Sequence, residues 1–429
     1  MPGMSLPATS DAPAGPILVG FSGGLDSTVL LHWLHTQGDI RKHGLRAIHV
    51  HHGLHRDADA WAEHCRNVCR ALDIGLTVVE VTVLRDSGLG LEAAARHARH
   101  GAFAAHLREG ETLALGHHQD DQAETVLLRL LRASGSEGMA AMRPVREFAQ
   151  GALWRPLLDI PRSALLHYAQ SQGLHWIEDP SNAEEYIDRN FLRHRVLPLL
   201  AERWPAANAA LSRSATLLAE DAELLRAEAD VRLAQVQGLD ESTLSVAALL
   251  ALDKPWRSRV LRLWLAELGL PPLPGQAFGI IESQLLPARP DAQPEYQWAG
   301  ITLQRWRDLL HVETARPGLP PDWHCRWDGT QALALPTGDT LAWMPALNTT
   351  AFVVRARQGG ERIVLPGRDH SHSLKHVLQT LAVPPWERER LPLLFAEDGQ
   401  LLAAGDLVLS ARADELARQC KTRLLWQRN

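Results

Sequence analysis

Apolar residues in the first half of the chain follow two alternating periods. Short apolar runs predict four strands, and stretches with helical spacing between them predict helices. The strands fall at residues 17–21, 45–50, 76–81 and 112–116, and the helices at 58–72, at 91–107 and from Asp120 onward. Strands that alternate with helices are typical of a parallel sheet with helices on both faces, and ligands bind such sheets beyond the carboxyl ends of the strands.

The second half has a different pattern. Residues 206–237 are rich in alanine and leucine at helical spacing and predict a long connecting helix. Helical patterning continues through 238–345, interrupted by proline-rich stretches at 270–274 and 316–321. We therefore expect an α/β domain over 16–205, the connecting helix, a helical domain over 238–345 and a small α+β domain over 346–429. Residues 1–15 lack the basic and apolar regions of a signal peptide and are expected to be disordered.

The first strand runs directly into a glycine turn at Gly23 and Gly24, and a helical segment follows. Adjacent glycines let backbone N–H groups turn inward, and the helix N-terminus adds positive potential, so the turn suits an anion such as pyrophosphate. Asp26 would repel bare phosphate, which indicates a phosphate-bound Mg²⁺. No Gly-Lys-Ser/Thr follows the turn and the third glycine of the dinucleotide fingerprint is absent, so neither of those nucleotide sites is predicted.

A second polar motif, residues 116–125, leads from the fourth strand into a helix. Asp121 and Glu124 are three residues apart and share a helical face, where two carboxylates could hold an ammonium group. Acidic residues in a first helical turn also complement the helix dipole, and for Asp120 this reading is equally good. Because the motif and the glycine turn both follow strands, we expect them in one crevice.

Composition limits the kinds of molecule that the chain is expected to bind. Charged residues make up 22% of the chain and the formal net charge is −6, so any contact with RNA must come from local basic patches. Residues 351–429 hold twelve Lys/Arg against nine Asp/Glu, a balance of +3 that suits docking on phosphates. No apolar stretch approaches the roughly 20 residues that span a bilayer, and we expect a cytoplasmic protein that does not enter a membrane.

The four cysteines are too few and too scattered to predict a disulfide framework. Cys65 and Cys69 are four residues apart, which favours the buried face of a helix over a redox pair. The histidines of the segment 49–55 resemble metal ligands, but they alternate off a strand end without a cysteine partner and are better explained as a loop wall. No structural zinc site is predicted.

The motifs together resemble one enzyme family. The hexapeptide at 22–27, SGGLDS, is similar to the PP-loop of the N-type ATP pyrophosphatases, and residues 116–125 resemble the matching segment of the tRNA(Ile)-lysidine synthases within that superfamily. Further landmarks of that family match at residues 129–142, 155–158, 178–182, 189–195, 357–362, 373–375 and 383–393. The resemblance therefore covers the first half and the last fifth of the chain.

This resemblance implies an ATP-dependent ligase. It would adenylate the C2 carbonyl oxygen of the wobble cytidine in an isoleucine tRNA with a CAU anticodon, and free L-lysine would then displace AMP to form lysidine. ATP and Mg²⁺ are the implied cofactors. Residues 238–345 would be a substrate-binding domain, and residues 346–429 would dock the tRNA.

The resemblance also assigns roles to residues. Asp26 would hold the metal, Asp121 and His117 would act in catalysis, and Arg99 would lie at the lysine site together with Asp121 and Glu124. Arg96 is an alternative to Arg99. The residues that would bind ATP are Ser22, Gly23, Gly24, Leu25, Asp26 and Ser27. Those that would bind tRNA phosphates are Arg189, Arg193, Arg195, Lys375, Arg388 and Arg390.

Two alternatives remain at this point. Another PP-loop enzyme, a tRNA thiolase, would need a persulfide cysteine or an iron–sulfur site, but the chain has no Cys-x-x-Cys. A nucleotide-binding sensor without catalysis would not need Asp26, Asp121 and Glu124, which are all present.

Overall fold

The structure is a computed structural model that describes residues 6, 15–53, 55–83, 91–289, 292, 294–314, 316–347 and 351–428, with only the backbone at 91 and 92. The prediction of a disordered start at 1–15 therefore lies, except for residues 6 and 15, outside the described residues. The chain divides into two compact units, Met1–Glu228 and Ala229–Asn429. No helix of the described residues is long and apolar enough to cross a membrane.

The first unit is built on a six-stranded sheet. Its strands are β1 (Ile17–Gly20), β2 (Leu45–His51), β3 (Gly75–Glu80), β4 (Thr112–Ala114), β5 (Val145–Phe148) and β6 (Gly151–Trp154). They lie in the order β3-β2-β1-β4-β6-β5, and all neighbours are parallel except β5, which pairs antiparallel with β6 at one edge. The predicted parallel sheet is confirmed, and the antiparallel edge strand was not predicted.

Helices cover both faces of this sheet, as predicted. Ile17 and Val19 point into a core with Trp33 of the first helix, whereas Leu18, between them, packs with Phe103 on the opposite face. The helices of the unit are α1 (Leu25–Thr36), α2 (Gly38–His43), α3 (Ala58–Ala71), α4 (Leu91–His106), α5 (Gln119–Leu131), α6 (Ser136–Met139), α7 (Arg162–Ser171), α8 (Asp188–Phe191) and α9 (Leu197–Arg203), followed by α10 (Ala207–Val236), whose last residues belong to the second unit. A 3₁₀ turn at Pro180–Ala183 and a π-helical segment at Leu192–Val196 complete the unit.

The second unit begins with a mixed helix and sheet layer. Its elements are β7 (Thr243–Ser245), α11 (Val246–Ala251), α12 (Lys254–Glu267), α13 (Ala277–Ile280), a π-helical segment (Ile281–Leu285), β8 (Glu295–Trp298), β9 (Ile301–Trp306) and β10 (Leu309–Thr314). The strands form an antiparallel sheet in the order β7-β10-β9-β8. Leu303 and Leu310 of this sheet pack against Trp264 of α12. The helices expected here are present, but the region is not helical throughout.

The rest of the unit is strand-rich. Its elements are β11 (His324–Trp327), β12 (Leu333–Ala334), β13 (Thr340–Met344), β14 (Phe352–Arg355), β15 (Arg362–Val364), β16 (Ser371–Ser373), α14 (Leu374–Thr380), α15 (Pro385–Arg390), β17 (Leu393–Phe395), β18 (Leu401–Ala404), β19 (Val408–Leu409), α16 (Ala411–Gln419) and β20 (Arg423–Gln427). Five strands lie in the order β11-β14-β17-β18-β19, three in the order β12-β13-β20, and β15 pairs with β16.

The boundary expected between residues 345 and 346 is wrong. Strand β11 pairs with β14, and β13 pairs with β20, so strands on both sides of the expected boundary share sheets. Trp327 and Trp343 lie in the same hydrophobic core as Leu424, and that core already includes Leu319. The C-terminal fold therefore begins near Leu319, because its sheets cannot close without the earlier strands.

Candidate active site at the carboxyl edge of the sheet

The glycine turn between β1 and α1 has a backbone that only glycine fits easily. Gly23 has φ +85°, and a Cβ atom built on it would lie 2.7 Å from Cδ1 of Ile177 and 3.0 Å from Sγ of Cys65. Its carbonyl oxygen accepts the backbone N–H of Ile177 at 2.9 Å. The segment that contains Ile177 therefore supports the turn from behind.

Side-chain hydroxyls hold the turn in shape. Oγ of Ser27 accepts the backbone N–H of Ser22 at 3.2 Å and donates to the carbonyl of Gly24 at 3.1 Å. Oγ1 of Thr28 donates to the carbonyl of Gly23 at 3.3 Å. The side chain of Leu25 packs in the core, so only its backbone, at the N-terminus of α1, is available to an anion. These hydrogen bonds fix the shape of the turn, and phosphate binding there stays a prediction.

Asp26 lies in the first turn of α1 with an oxygen that lacks a donor. Oδ1 is buried and has no hydrogen-bond partner among the described residues, and Oδ2 lies 3.6 Å from Nε2 of His118. A buried carboxylate oxygen without a donor is costly unless a cation or a ligand balances it. Because carboxylate oxygens are ligands that Mg²⁺ prefers, Asp26 fits the predicted metal role.

His118 links the glycine turn to the second motif, and the sequence reasoning missed it in favour of His117. It is 1% exposed, caps α5 by accepting the backbone N–H of Asp121 at Nδ1, and places Nε2 3.5 Å from Oδ2 of that residue. Burial lowers its pKa, but the carboxylates of Asp26 and Asp121 outweigh burial and the pKa is raised. The only sequence signal for this role was its position as the residue before the helix.

His117 faces a different neighbour. Its Nδ1 accepts from Nε of Arg155 at 3.3 Å, which leaves the ring proton on Nε2. Burial, followed by the positive charges of Arg155 and Arg189, holds the pKa of His117 well below its usual range. It is therefore a neutral imidazole at pH 7.

Asp121 and Glu124 are paired with arginines. Glu124 has no exposed surface and accepts from Nε of Arg189 and Nε of Arg193, both at 2.6 Å. Oδ1 of Asp121 lies 3.2 Å from Nη2 of Arg193 and 3.4 Å from Nη2 of Arg189. Asp121 and Glu124 were expected to hold lysine, and Arg189 and Arg193 were expected to hold RNA phosphate. In the structure these carboxylates and arginines pair with one another.

This pairing corrects two expectations. Glu124 is enclosed by guanidinium groups, so in this arrangement no ammonium group reaches it directly. Arg189 and Arg193, expected to bind phosphate, donate from Nε and Nη2 to these carboxylates, and Glu124 raises the pKa of Arg193 against the opposing effect of burial. Arg195 is different, because it is 64% exposed and pairs with Glu185 at 2.9 Å.

The π-helical segment explains how the two arginines converge. Arg189 lies in α8 and Arg193 lies in the segment Leu192–Val196 that follows. They are four positions apart, a spacing that puts both side chains on the side of the helix that faces α5. A π-helical turn inside a helix is frequent at functional sites.

Arg99, expected at the lysine site, lies half-buried on α4, and Arg96 is exposed on the same helix. After burial, the charge of Arg99 is the largest cause that lowers the pKa of His52. The positive charges of both arginines also lower the pKa of His117, which follows β4.

The predicted phosphate ligands of the second unit divide into two groups. Lys375 is exposed on α14, and Arg388 is half-buried with Nε donating to the carbonyl of Val383 at 2.8 Å. Arg390 is only 5% exposed and donates to the fully buried Asp339 at 2.6 Å. The expectation that Arg390 binds phosphate is therefore wrong, because this arginine neutralises a buried carboxylate.

The cysteines on α3 are core residues, as predicted. Cys65 and Cys69 are at most 1% exposed. Burial raises the pKa of Cys65 to about 12 and that of Cys69 to about 11. The neighbouring histidines have separate partners: Nδ1 of His49 contacts the carbonyl of Phe21, and His55 stacks on Trp61.

Comparisons with known proteins agree along the chain. A PP-loop domain model matches residues 6–200, a TilS substrate binding domain model matches 244–311, and a TilS substrate C-terminal domain model matches 352–426. A tRNA(Ile)-lysidine synthase of Xanthomonas axonopodis is 51% identical over 425 residues, which cover 98% of this chain and 96% of that one. One of Xylella fastidiosa is 51% identical over 421 residues (97% and 96%), and one of Yersinia pseudotuberculosis is 42% identical over 420 residues (92% and 90%).

Proposed function

Because the chain belongs to the tRNA(Ile)-lysidine synthase family, we propose that it joins free L-lysine to the wobble cytidine of an isoleucine tRNA with a CAU anticodon, at the expense of ATP. The observation that carries this proposal is a single crevice. It brings together the glycine turn, the carboxylate of Asp26 with its unpartnered oxygen, and the pair Asp121 and Glu124. We propose that it acts in the cytoplasm on its tRNA substrate.

The first half-reaction is adenylation. The C2 carbonyl oxygen of the cytosine attacks the α-phosphorus of ATP, and pyrophosphate leaves. The turn at 22–27 would hold the phosphates with its backbone N–H groups and the N-terminus of α1. Asp26 would hold Mg²⁺, which neutralises charge on the leaving pyrophosphate when bound.

In the second half-reaction the ε-amine of lysine attacks C2, and AMP leaves with the former carbonyl oxygen. The amine must lose a proton before it attacks. Asp121 is the carboxylate proposed to orient the ammonium group, because it is nearer to the phosphate turn through His118 than Glu124 is. Glu124 would act through the arginines as a positioning residue, and Arg99 would meet the carboxylate of the substrate lysine.

The histidines at the end of β4 have different proposed roles. His117 is neutral and could donate from Nε2 to the cytosine or to a phosphate oxygen. His118 lies between Asp26 and Asp121 and would keep both carboxylates in place. Arg195, Lys375 and Arg388 remain the proposed contacts to tRNA phosphates, because Nε and Nη2 of Arg189 and Arg193 already donate to carboxylates.

A thiolase would need a reactive cysteine, but both cysteines near the crevice are buried thiols of high pKa. A direct test is to incubate the purified protein with ATP, radiolabelled lysine and a CAU isoleucine tRNA transcript. We expect label in the RNA and an equal amount of AMP. A methionine tRNA with the same anticodon is the matched substrate control. Transfer of sulfur, or no ATP-dependent incorporation of lysine, would contradict the proposal.

A further inference from the structure

The second unit carries an aromatic cluster that the proposed reaction does not use. The ring of Trp306, at the end of β9, lies 6.2 Å from that of Trp386 on α15, centroid to centroid. His311 of β10 lies 5.1 Å from Trp386 and 6.2 Å from Trp306. All three are half-buried, so part of each ring faces solvent. Nε2 of His311 is buried and has no hydrogen-bond partner among the described residues.

Arginines surround this cluster. The guanidinium of Arg307 lies 4.6 Å from the ring centroid of Trp306 and donates to the carbonyl of Gln379 at 3.1 Å. Arg388 lies two residues after Trp386 on α15, and its Nε donates to the carbonyl of Val383. Burial lowers the pKa of Arg388, and the positive charges of Arg357 and Arg307 lower it further. Because Trp306 contacts Trp386, Arg307 and Arg388 both adjoin the same aromatic cluster.

Two nearby carboxylates have other partners. Glu387 pairs with Arg428 at 3.5 Å, and Oε1 of Glu361 accepts two backbone N–H groups. Oε2 of Glu361 lies 3.7 Å from Nε of Arg357, so Glu361 balances the charge of Arg357. Two guanidinium groups on one aromatic cluster repel each other, and an anion bound to both would remove that cost. A purely structural packing contact within the unit would explain the tryptophans but not the arginines beside them.

We propose that Arg307 and Arg388 bind a phosphate of the tRNA substrate while an unpaired base stacks on Trp306 or Trp386. Arginine matches phosphate through paired donors, and aromatic rings stack on bases that are not in a helix. The inference rests on the proposed function, which supplies the RNA, and adds a contact in the unit that lacks the phosphate turn. Of the two arginines, Arg388 is the one expected from sequence to meet RNA.

The test compares four variants in full-length protein, two that change charge and two that change Trp306. Arg307→Asn with Arg388→Gln removes two charges, and asparagine tolerates the left-handed backbone of position 307, where φ is +57°. Lys421→Asn is the matched control, because Lys421 is exposed in the same unit with φ +51°. The affinity for the tRNA transcript is measured by equilibrium binding over a range of KCl concentrations, and thermal unfolding shows that each variant is folded.

We expect the double variant to bind tRNA at least about tenfold more weakly and to flatten the plot of log affinity against log salt by about one to two units. The control should stay within about twofold of wild type. Equal affinity and equal salt dependence in the double variant and the control would overturn the phosphate site. Trp306→Leu should weaken binding and Trp306→Phe should largely restore it; wild-type affinity in Trp306→Leu would overturn the stacking. Failure of the wild type to form lysidine would instead contradict the proposed function.

Discussion

The carboxylates of the crevice differ in what balances their charge. Two guanidinium groups enclose Glu124, whereas Asp26 keeps a buried oxygen without a donor. A buried charge that is fully paired mainly supports the fold, whereas a buried charge without a partner is a candidate to bind a ligand. Sequence spacing could place Asp121 and Glu124 on one face, but it could not show that arginines about 65 residues later in the chain meet them.

Asp26→Asn keeps the size of the side chain and removes its charge. We expect pyrophosphate release to fall by about a hundredfold or more, because the charge on the leaving group is no longer neutralised. Binding of tRNA should be nearly unchanged. Release of labelled pyrophosphate checks this, with Asp39→Asn, in an exposed ion pair with Lys42, as the control. Wild-type release by Asp26→Asn would refute the metal role.

Glu124→Gln leaves Arg189 and Arg193 with a neutral amide in place of one carboxylate and with Asp121 as their remaining acidic partner. Removing one member of a buried ion pair typically costs about 3 kcal/mol, and we expect that loss in the free energy of unfolding measured with urea. Glu63→Gln, in an exposed pair with Arg66, should cost less than about 1 kcal/mol. If Glu124 instead held lysine directly, its variant would keep its stability and raise only the KM for lysine.

The two buried cysteines are predicted to react more slowly with thiol reagents than the exposed cysteine does. A thiol whose pKa is raised carries less thiolate at a given pH, and the thiolate is the reactive form. At pH 8, Cys65 and Cys69, with pKa near 12 and 11, should resist a disulfide reagent until the protein is unfolded. Cys420 is exposed and should react in the native protein. Fast reaction of all four thiols without denaturant would show that α3 is not packed as described.

Among elements, those that carry a strong period were predicted well. The strands and helices around the crevice match the apolar pattern closely, because each buries one defined face. The sheet of β7 to β10 was missed, although Ile301–Trp306 and Leu309–Thr314 are joined by a two-residue turn. Five of the six residues of β9 are buried, so the strand lacks the alternation that would distinguish it from a helix.

The phosphate turn is the element on which ATP binding depends. Gly23→Ala should add about 1–2 kcal/mol of backbone strain and a clash with Ile177, so ATP affinity should fall by at least about tenfold. Adding Ile177→Val removes the clashing Cδ1 atom and should recover part of the loss. Gly173→Ala, at φ +62° with open space around it, is the control. Equal ATP affinity in Gly23→Ala and Gly173→Ala, measured by calorimetry, would contradict this account.

For the whole molecule, the sequence predicted the N-terminal α/β domain and a C-terminal α+β domain. It misplaced the boundary between that C-terminal domain and the region before it. Composition and prolines mark loops, but they do not show which strands pair across a long separation in sequence. Strand β13 finds its partner β20 near the end of the chain, and only the fold reveals that pairing. Family resemblance covered those ends and left the middle without landmarks.

Two truncations test where the C-terminal fold begins. A chain that ends at residue 350 keeps β11 and β13 but loses their partners β14 and β20, so Trp327 and Trp343 lose much of their core. A chain that ends at residue 314 keeps the sheet of β7 to β10 intact. We expect the longer fragment to aggregate, because unpaired strand edges and apolar side chains are exposed together.

The shorter fragment should stay monomeric, bind ATP like the full chain and bind tRNA more weakly, since the phosphate turn lies in the first unit. Size-exclusion chromatography and calorimetry with ATP distinguish the two fragments. A monomeric fragment ending at 350 with a sharp thermal transition would return the boundary to residue 346. Loss of ATP binding in a folded fragment ending at 314 would instead show that the phosphate turn depends on the strands removed, because both fragments contain all of the first unit.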